Sequence, residues 1–214
     1  MKHINLDGIT YIRPVPYGTD QWYFGMDHDG DLYECEEIFN NTGSYQGTSL
    51  FVIKYPEGEV FRLAEKTINI AVGEPVYFYD QISYLLIDFE KKLIQIKRFD
   101  CKSFKYSVIE ELPLESVKDC YNLRLHEHPL TLTRQANNGV LEVIWPIRTD
   151  INISKTESFF YREENRLYFA AWYEDPDYRE ETIIRDINSG EVIEKQPGDI
   201  TIMPDGQLWH LCSK

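Results

Sequence analysis

Long hydrophobic runs are missing from this sequence. No stretch approaches the roughly 18 to 20 consecutive apolar residues that cross a bilayer. The opening residues, MKHINLDGITYIRPVPYG, have no apolar core of the kind found in signal peptides. We therefore expect no membrane partner and no export signal.

Positive charge is also scarce. The chain has 22 Lys and Arg against 36 Asp and Glu, a formal net charge of −14 at pH 7. Its basic residues occur as scattered pairs such as KK and KR, without a basic stripe. Because this field repels a phosphate backbone and anionic lipid, we expect no nucleic-acid partner. The excess of acids is typical of a well-solvated surface.

Motifs for nucleophilic catalysis and for nucleotide binding are absent as well. The four cysteines have no CxxC spacing, which is typical of reduced, mostly buried thiols in a cytoplasmic protein. There is no GxSxG, P-loop or GxGxxG pattern, so we expect neither a serine nucleophile nor a nucleotide cofactor. We expect no cofactor of any kind, and whether the chain is an enzyme stays uncertain, leaning towards no.

Strand-turn-strand patterns fill most of the chain instead. Aromatic residues make up 14% of the sequence, and they favour the half-buried surface of a sheet. Alternating apolar runs on both sides of a Gly, Asn or Asp turn predict β-hairpins. Seven stretches fit: QWYFGMDHDGDLYECEEI, SLFVIKYPEGEVFRLA, ISYLLIDFEKKLIQIKRF, LTLTRQANNGVLEVIW, SFFYREENRLYFAAWYE, ETIIRDINSGEVIEK and DITIMPDGQLWHL. One short helix is expected in PLESVKDCYNL.

The acidic stretch MDHDGDLYEC could suggest a calcium loop. An EF-hand loop that starts at Asp27 needs Gly at its sixth position and Glu at its twelfth, but Leu32 and Ile38 stand there. We therefore interpret Asp29-Gly30 as a hairpin tip with solvated acids.

Two pairs of hairpins resemble each other along the chain. Leu167-Tyr168 lies 135 residues beyond Leu32-Tyr33, and Gly190 lies 132 beyond Gly58. Two hairpins in series have the size of one propeller blade, about 40 to 50 residues. The sequence thus predicts an all-β fold, a small irregular propeller-like arrangement of four or five antiparallel sheets, with a β-sandwich, barrel or cupin-like fold as alternative. We expect a single domain over 1–214, whose termini complete one sheet together.

A histidine pattern offers one possible metal site. His126 and His128 would point to the same side of a strand, with His210 as a third ligand. PGDITIMPDGQLWH resembles the second cupin motif, but His210 lies one residue too far, and the glutamate and glycine of the first motif are missing near HEH. The alternative function is an enzyme. It would be either metal-dependent and cupin-like, or carbohydrate-active with paired acids. We expect no metal.

The main functional hypothesis is an interaction or ligand-binding module without catalytic activity, since loops on rigid β scaffolds carry specificity. Its partner would be a protein or a small molecule of unknown identity. A self-associating protein, a homo-oligomer, is a third possibility. Tryptophans at strand ends beside charged residues are typical of contact surfaces. The candidate ligand-binding residues are Arg124, Arg134, Trp145, Arg148 and Trp172.

Overall fold

The protein is almost entirely β-structure. The computed structural model describes residues 1–16, 18–28 and 31–212. Over these residues the chain divides into two compact units, Met1–Cys120 and Tyr121–Lys214. Every strand pairing in both units is antiparallel.

Two sheets form the first unit. The first sheet has the order β1-β2-β3-β4, with strands β1 Arg13–Pro14, β2 Trp22–Met26, β3 Leu50–Lys54 and β4 Glu59–Ala64. The second has the order β5-β7-β8-β9, and β6 also pairs with β7. Its strands are β5 Ile70–Val72, β6 Val76–Phe78, β7 Gln81–Asp88, β8 Leu93–Asp100 and β9 Tyr106–Pro113.

The core of the first unit lies against one face of β2 and β3. The alternating residues Trp22, Phe24, Leu50 and Val52 are buried there. They pack with side chains of the second sheet, including Phe99, whose ring centroid lies 5.8 Å from that of Trp22 in an edge-on contact. The strand period of two therefore sends one set of residues into this core and leaves the other set for the opposite face.

A helix stands where the first hairpin was predicted. After β2 the chain forms α1, Leu32–Thr42, so the predicted second strand is wrong. The Oδ1 of Asp31 accepts a hydrogen bond from the N–H of Glu34 at 2.9 Å and caps the first turn. Gly43, with φ 76°, ends the helix in the left-handed conformation that favours glycine. The predicted tip at Asp29-Gly30 lies outside the described residues.

Three sheets form the second unit. The first contains β10 Leu123–His126, β11 Thr131–Ala136, β12 Val140–Trp145 and β13 Thr149–Asn152. The second contains β14 Glu157–Glu163, β15 Arg166–Tyr173, β16 Arg179–Asp186 and β17 Val192–Pro197. The third is the pair β18 Asp199–Ile202 and β19 Leu208–Leu211. Each sheet is a simple meander of neighbouring strands.

A buried ion pair crosses the second of these sheets. Arg185 on β16 donates from Nε and Nη2 to the two carboxylate oxygens of Glu157 on β14, both at 2.8 Å. The side chain of Glu157 is 3% exposed and that of Arg185 13%. The N–H of Ser154 donates to the same carboxylate at 3.2 Å. This pair supplies the partners that a buried charge requires.

Six of the seven predicted hairpins are present, since β3-β4, β7-β8, β11-β12, β14-β15, β16-β17 and β18-β19 are each a hairpin. The likeness of Leu32-Tyr33 to Leu167-Tyr168 is not structural, because the first pair begins a helix and the second lies on β15. Gly58 and Gly190 do match, as positive-φ glycines before β4 and β17. The predicted short helix is one 3₁₀ turn, Leu114–Ser116.

The prediction of an all-β, propeller-like fold of antiparallel hairpin sheets is confirmed. At the two ends of the chain, β1 pairs with β2 and β18 pairs with β19. The single domain over 1–214 with joined termini stays a prediction. Among the described residues, no helix is long and apolar enough to cross a membrane.

Candidate functional site

The N-terminal segment shapes a pocket at the edge of the first sheet. Residues 6–12 leave the plane of that sheet and cross over Gly25 of β2. A Cβ at Gly25 would lie 3.0 Å from Ile9 Cγ2 and 3.3 Å from the carbonyl oxygen of Tyr11. Leu6 and Ile9 pack in the same cluster as Tyr23, on the sheet face opposite the main core. The missing side chain of Gly25 therefore gives this segment room to cross.

The crossing cuts β1 short. Arg13 pairs with Phe24 and Pro14 with Tyr23, and the pairing extends no further towards the N-terminus. The N–H of Val15 donates to the carbonyl of Trp22 at 2.9 Å, so Trp22 directs its backbone polar groups towards β1. In an antiparallel ladder every second residue directs its N–H and C=O to the same neighbouring strand. Phe24 and Met26 therefore also direct theirs towards the side of β1. Pro14, which has no N–H, sits at the position that needs none.

The next hydrogen-bonded position of the ladder, at Met26, has no residue of β1 opposite it. We call this position the rung at Met26. Continuing the register of β1 and β2 would place Tyr11 opposite Met26, but Tyr11 lies over Gly25 instead. Over the part of the chain that the structure describes, no backbone hydrogen bond joins Met26 to the N-terminal segment. The N–H and C=O of Met26 therefore face the space that β1 has vacated.

This space is a cavity of about 450 Å³. Its size lies within the range of small-ligand sites, roughly 300 to 1,000 Å³. We call it the N-terminal pocket, and it is lined by Asp7, Gly8, Ile9, Thr10, Tyr11, Arg13, Phe24, Gly25, Met26, Asp27 and Lys66.

An arginine and an aromatic ring form one side of the pocket. The guanidinium of Arg13 lies over the ring of Phe24, 4.9 Å from its centroid. This geometry is a cation–π contact, and it follows from the direct pairing of the two residues across the strands. Arg13 Nη2 also binds Glu74 Oε1 at 2.8 Å, at a half-exposed position. The arginine is thus held in place while part of it stays open to solvent.

A second ion pair lies on the other side. Lys66 Nζ binds Asp27 Oδ2 at 2.9 Å, and the N–H of Ser49 donates to Asp27 Oδ1 at 2.7 Å. Burial raises the pKa of Asp27, but these two donors outweigh burial and the pKa lies below its ordinary value. The carboxylate is therefore ionised at neutral pH.

A tight turn closes the pocket at its outer end. Asp7 and Gly8 have φ values of 50° and 94°, and the N–H of Ile9 donates to the carbonyl of Leu6 at 3.1 Å. Two positive φ values in a row are those of a type I′ turn, which favours an Asp-Gly pair. The carboxylate of Asp7 binds the guanidinium of Arg62 on β4. The turn is thereby tied to the sheet that it covers.

These features equip the pocket for binding. Its mostly polar lining includes the apolar side chains of Phe24 and Met26, a backbone donor and acceptor at Met26, and charged groups of both signs that are fixed by partners. No sequence motif marks this site, because its lining residues come from separate segments of the chain. The only local signal was the Asp7-Gly8 turn ahead of a strand interrupted by proline.

The structure brings together two of the residues that were predicted to bind a ligand. Arg134, 2% exposed, donates from Nη1 to Glu142 Oε1 at 2.7 Å, and Arg148 Nη2 lies 3.3 Å from Glu142 Oε2. Trp145 is the last residue of β12, the strand that carries Glu142. Arg134 is buried and ion-paired, whereas Arg148 is half-exposed. Ligand binding by these residues stays a prediction.

The other two predicted residues lie elsewhere. Arg124 is exposed on β10 and pairs with Thr133, so its side chain belongs to the sheet face opposite that of Arg134. Trp172 lies on β15 of the next sheet, half-exposed. The five residues therefore do not form one cluster around Glu142.

Each histidine of the alternative metal site makes a different contact. The ring of buried His126 packs on Phe159 at 4.5 Å, and that of His128 on Tyr161 at 5.3 Å. Burial first, and the charge of Arg124 second, lower the pKa of His126 to about 3. His210 Nδ1 lies 3.1 Å from the sulfur of Cys212. Within residues 1–16, 18–28 and 31–212, no three His, Cys, Asp or Glu side chains are grouped to hold a metal ion.

Comparisons with known proteins give distant structural likenesses. No protein-family model matches the chain, and no curated protein matches it. Dihydro-heme d1 dehydrogenase, solved in complex with DHE, is similar over 87% of this chain and 37% of its own, with 14% identity and a TM-score of 0.41. A variant of exo-β-1,3-galactanase from Phanerochaete chrysosporium, solved with β-1,3-galactotriose, is similar over 87% and 50%, with 8% identity and a TM-score of 0.40. The chain thus spans half or less of the length of either protein.

Proposed function

We propose that this chain is a ligand-binding module without catalytic activity, and that the N-terminal pocket is its binding site. The observation that carries the proposal is a cavity of about 450 Å³ beside an unpaired strand edge at Met26. A preformed concave site with an apolar floor and a few fixed polar groups is the usual form of a small-ligand site.

The charged groups of the pocket favour binding over acid–base chemistry. A general acid or base works best with a pKa near the operating pH. The pKa of Asp27 is lowered, and its two oxygens already accept hydrogen bonds from Lys66 and Ser49. Asp7 is likewise paired, with Arg62. These carboxylates hold the pocket in shape.

The predicted cytoplasmic location is part of this proposal. It is supported by the cysteines, since Cys35, Cys101 and Cys120 are free and buried. Reduced, buried thiols are typical of proteins from a reducing compartment.

A fragment screen followed by NMR tests the proposed site. We expect fragments that carry an amide group or an aromatic ring to shift the amide signals of Gly8, Tyr11, Gly25 and Met26. The Arg13→Ala variant should weaken such binding by roughly tenfold, because it removes a charged hydrogen-bond donor and the cation–π partner of Phe24.

Arg148→Ala is the matched control. It removes the same charge at a similarly exposed position in the second unit, among the residues predicted from the sequence. We expect it to leave fragment binding unchanged. The proposal is wrong when no fragment shifts the pocket amides, or when Arg148→Ala abolishes binding and Arg13→Ala does not.

A further inference from the structure

We infer that the N-terminal pocket takes a short extended peptide of net positive charge, which adds to β2 where β1 stops. This inference rests on the proposed function and names the chemical class of the ligand. It depends on the empty rung at Met26, on the side chains that flank the rung, and on the charge of the whole chain.

The empty rung fits a peptide backbone. Met26 presents one N–H and one C=O to the cavity, spaced as in a hydrogen-bonded pair of an antiparallel ladder. A backbone residue in extended conformation satisfies both groups with its own N–H and C=O. Strand addition of this kind is a common way to recognise peptides, in which main-chain hydrogen bonds supply affinity.

The neighbouring side chains define what the peptide carries at the central position. A guest residue opposite Met26 would place its side chain on the sheet face of Phe24 and Met26. Phe24 is buried and Met26 partly buried, and both belong to an apolar cluster. We therefore expect a β-branched, apolar guest residue at this position.

The residues on either side of the guest face the outer wall of the pocket. That wall is the N-terminal segment with its Asp7-Gly8 turn. The local charges balance, since Asp7 pairs with Arg62 and Asp27 with Lys66. The formal charge of the chain, −14, therefore decides the sign of the peptide, because it attracts cations over a long range.

The probe is the acetylated and amidated heptapeptide KTKVKTK, titrated into the ¹⁵N-labelled full chain. We expect saturable shifts of the Met26 and Tyr11 amides, and an affinity that falls as salt is raised. The control peptide is identical except for an N-methyl group on its central valine. Because this group removes the N–H of the rung, we expect binding to weaken by roughly tenfold.

Two variants of the protein test the same rung from the other side. Met26→Pro removes the N–H that faces the cavity, while the N–H groups that bond to β3 belong to Tyr23 and Gly25. We expect it to weaken the peptide by roughly tenfold, as the N-methyl group does. Met26→Leu keeps the N–H and a similar volume, so we expect it to bind the peptide more tightly than Met26→Pro does. Should Met26→Pro fail to fold, the N-methylated peptide gives the same test on the unaltered protein.

Several outcomes overturn the inference. Equal binding of both peptides means that the rung is not used. A Met26 amide already protected from exchange without peptide means that residues 9–11 of the chain fill the rung themselves. Fragments that bind in the pocket while KTKVKTK does not would overturn the peptide inference and leave the proposed function standing. Failure of both ligands would overturn both.

Discussion

Acid sensitivity of the second unit follows from one buried imidazole. His126 is 6% exposed on β10, and its Nδ1 has no hydrogen-bond partner among the described residues. Burial, aided by the charge of Arg124, lowers its pKa from 6.5 to about 3. Between these two pH values, His126 is protonated in the unfolded chain and neutral in the folded chain. The stability that neutral His126 contributes is therefore fully present above pH 6.5 and is lost as the pH falls towards 3.

The size of this loss can be worked out for a convenient pH. At pH 5.0 an unfolded histidine with its ordinary pKa is almost fully protonated, while the folded His126 is neutral. Protonation therefore lowers the free energy of the unfolded state by about 2 kcal/mol at pH 5.0 relative to pH 7.5. Urea unfolding followed by tryptophan fluorescence at pH 7.5, 6.5, 5.5 and 5.0 measures the difference.

The His126→Phe variant isolates this effect. Phenylalanine keeps an aromatic ring against Phe159 but cannot take up a proton, so the loss between pH 7.5 and pH 5.0 should shrink by about 2 kcal/mol. The partly buried His128, whose pKa burial also lowers, accounts for a smaller remaining slope. An identical pH slope in His126→Phe and the unaltered protein would refute the reasoning.

Three substitutions test other parts of the fold. Asp31→Ala removes the cap of α1 and should cost about 1 kcal/mol of unfolding free energy, measured by urea titration, whereas Asp31→Asn should cost much less; equal costs would contradict the capping role. Glu157→Gln leaves the buried Arg185 without its charged partner and should cost about 3 to 5 kcal/mol; a loss below about 1 kcal/mol, within the range of an exposed pair, would contradict the account. Gly25→Val places methyl groups against Ile9 and should cost about 1 to 3 kcal/mol and expose residues 6–12 to limited proteolysis; an unchanged cleavage pattern would contradict the crossing of this segment.

The hairpins could be predicted because their signals are local. In the Gly58 and Gly190 turns, a glycine with positive φ stands between two alternating runs, and both turns have the predicted form. Helix α1 was not predicted, although its sequence contains two helix signals. Asp31 and Glu34 have the spacing of a helix cap, and Leu32 and Cys35, the buried residues of the helix, are three apart. The nearby Asp29-Gly30 pair suggested a hairpin more strongly than these signals suggested a helix.

The candidate site could not be predicted in the same way. The pocket exists because residues 6–12 cross over Gly25, and that crossing depends on packing between segments that are distant in sequence. In the sequence, Met26 is only the last residue of an apolar run. The placement of the predicted ligand residues depends on long-range structure as well. The faces of Arg124 and Arg134 depend on strand register, which residue type alone does not reveal.

Amide hydrogen exchange of two neighbouring residues tests the central claim most directly. The account holds that β2 has an open rung at Met26, whereas Gly25 directs its N–H into the ladder with Phe51 of β3. In the free protein we predict an exchange of the Met26 amide that is at least about a hundredfold faster than that of Gly25. Equal, strong protection of both amides would show that the rung is closed and would contradict the account.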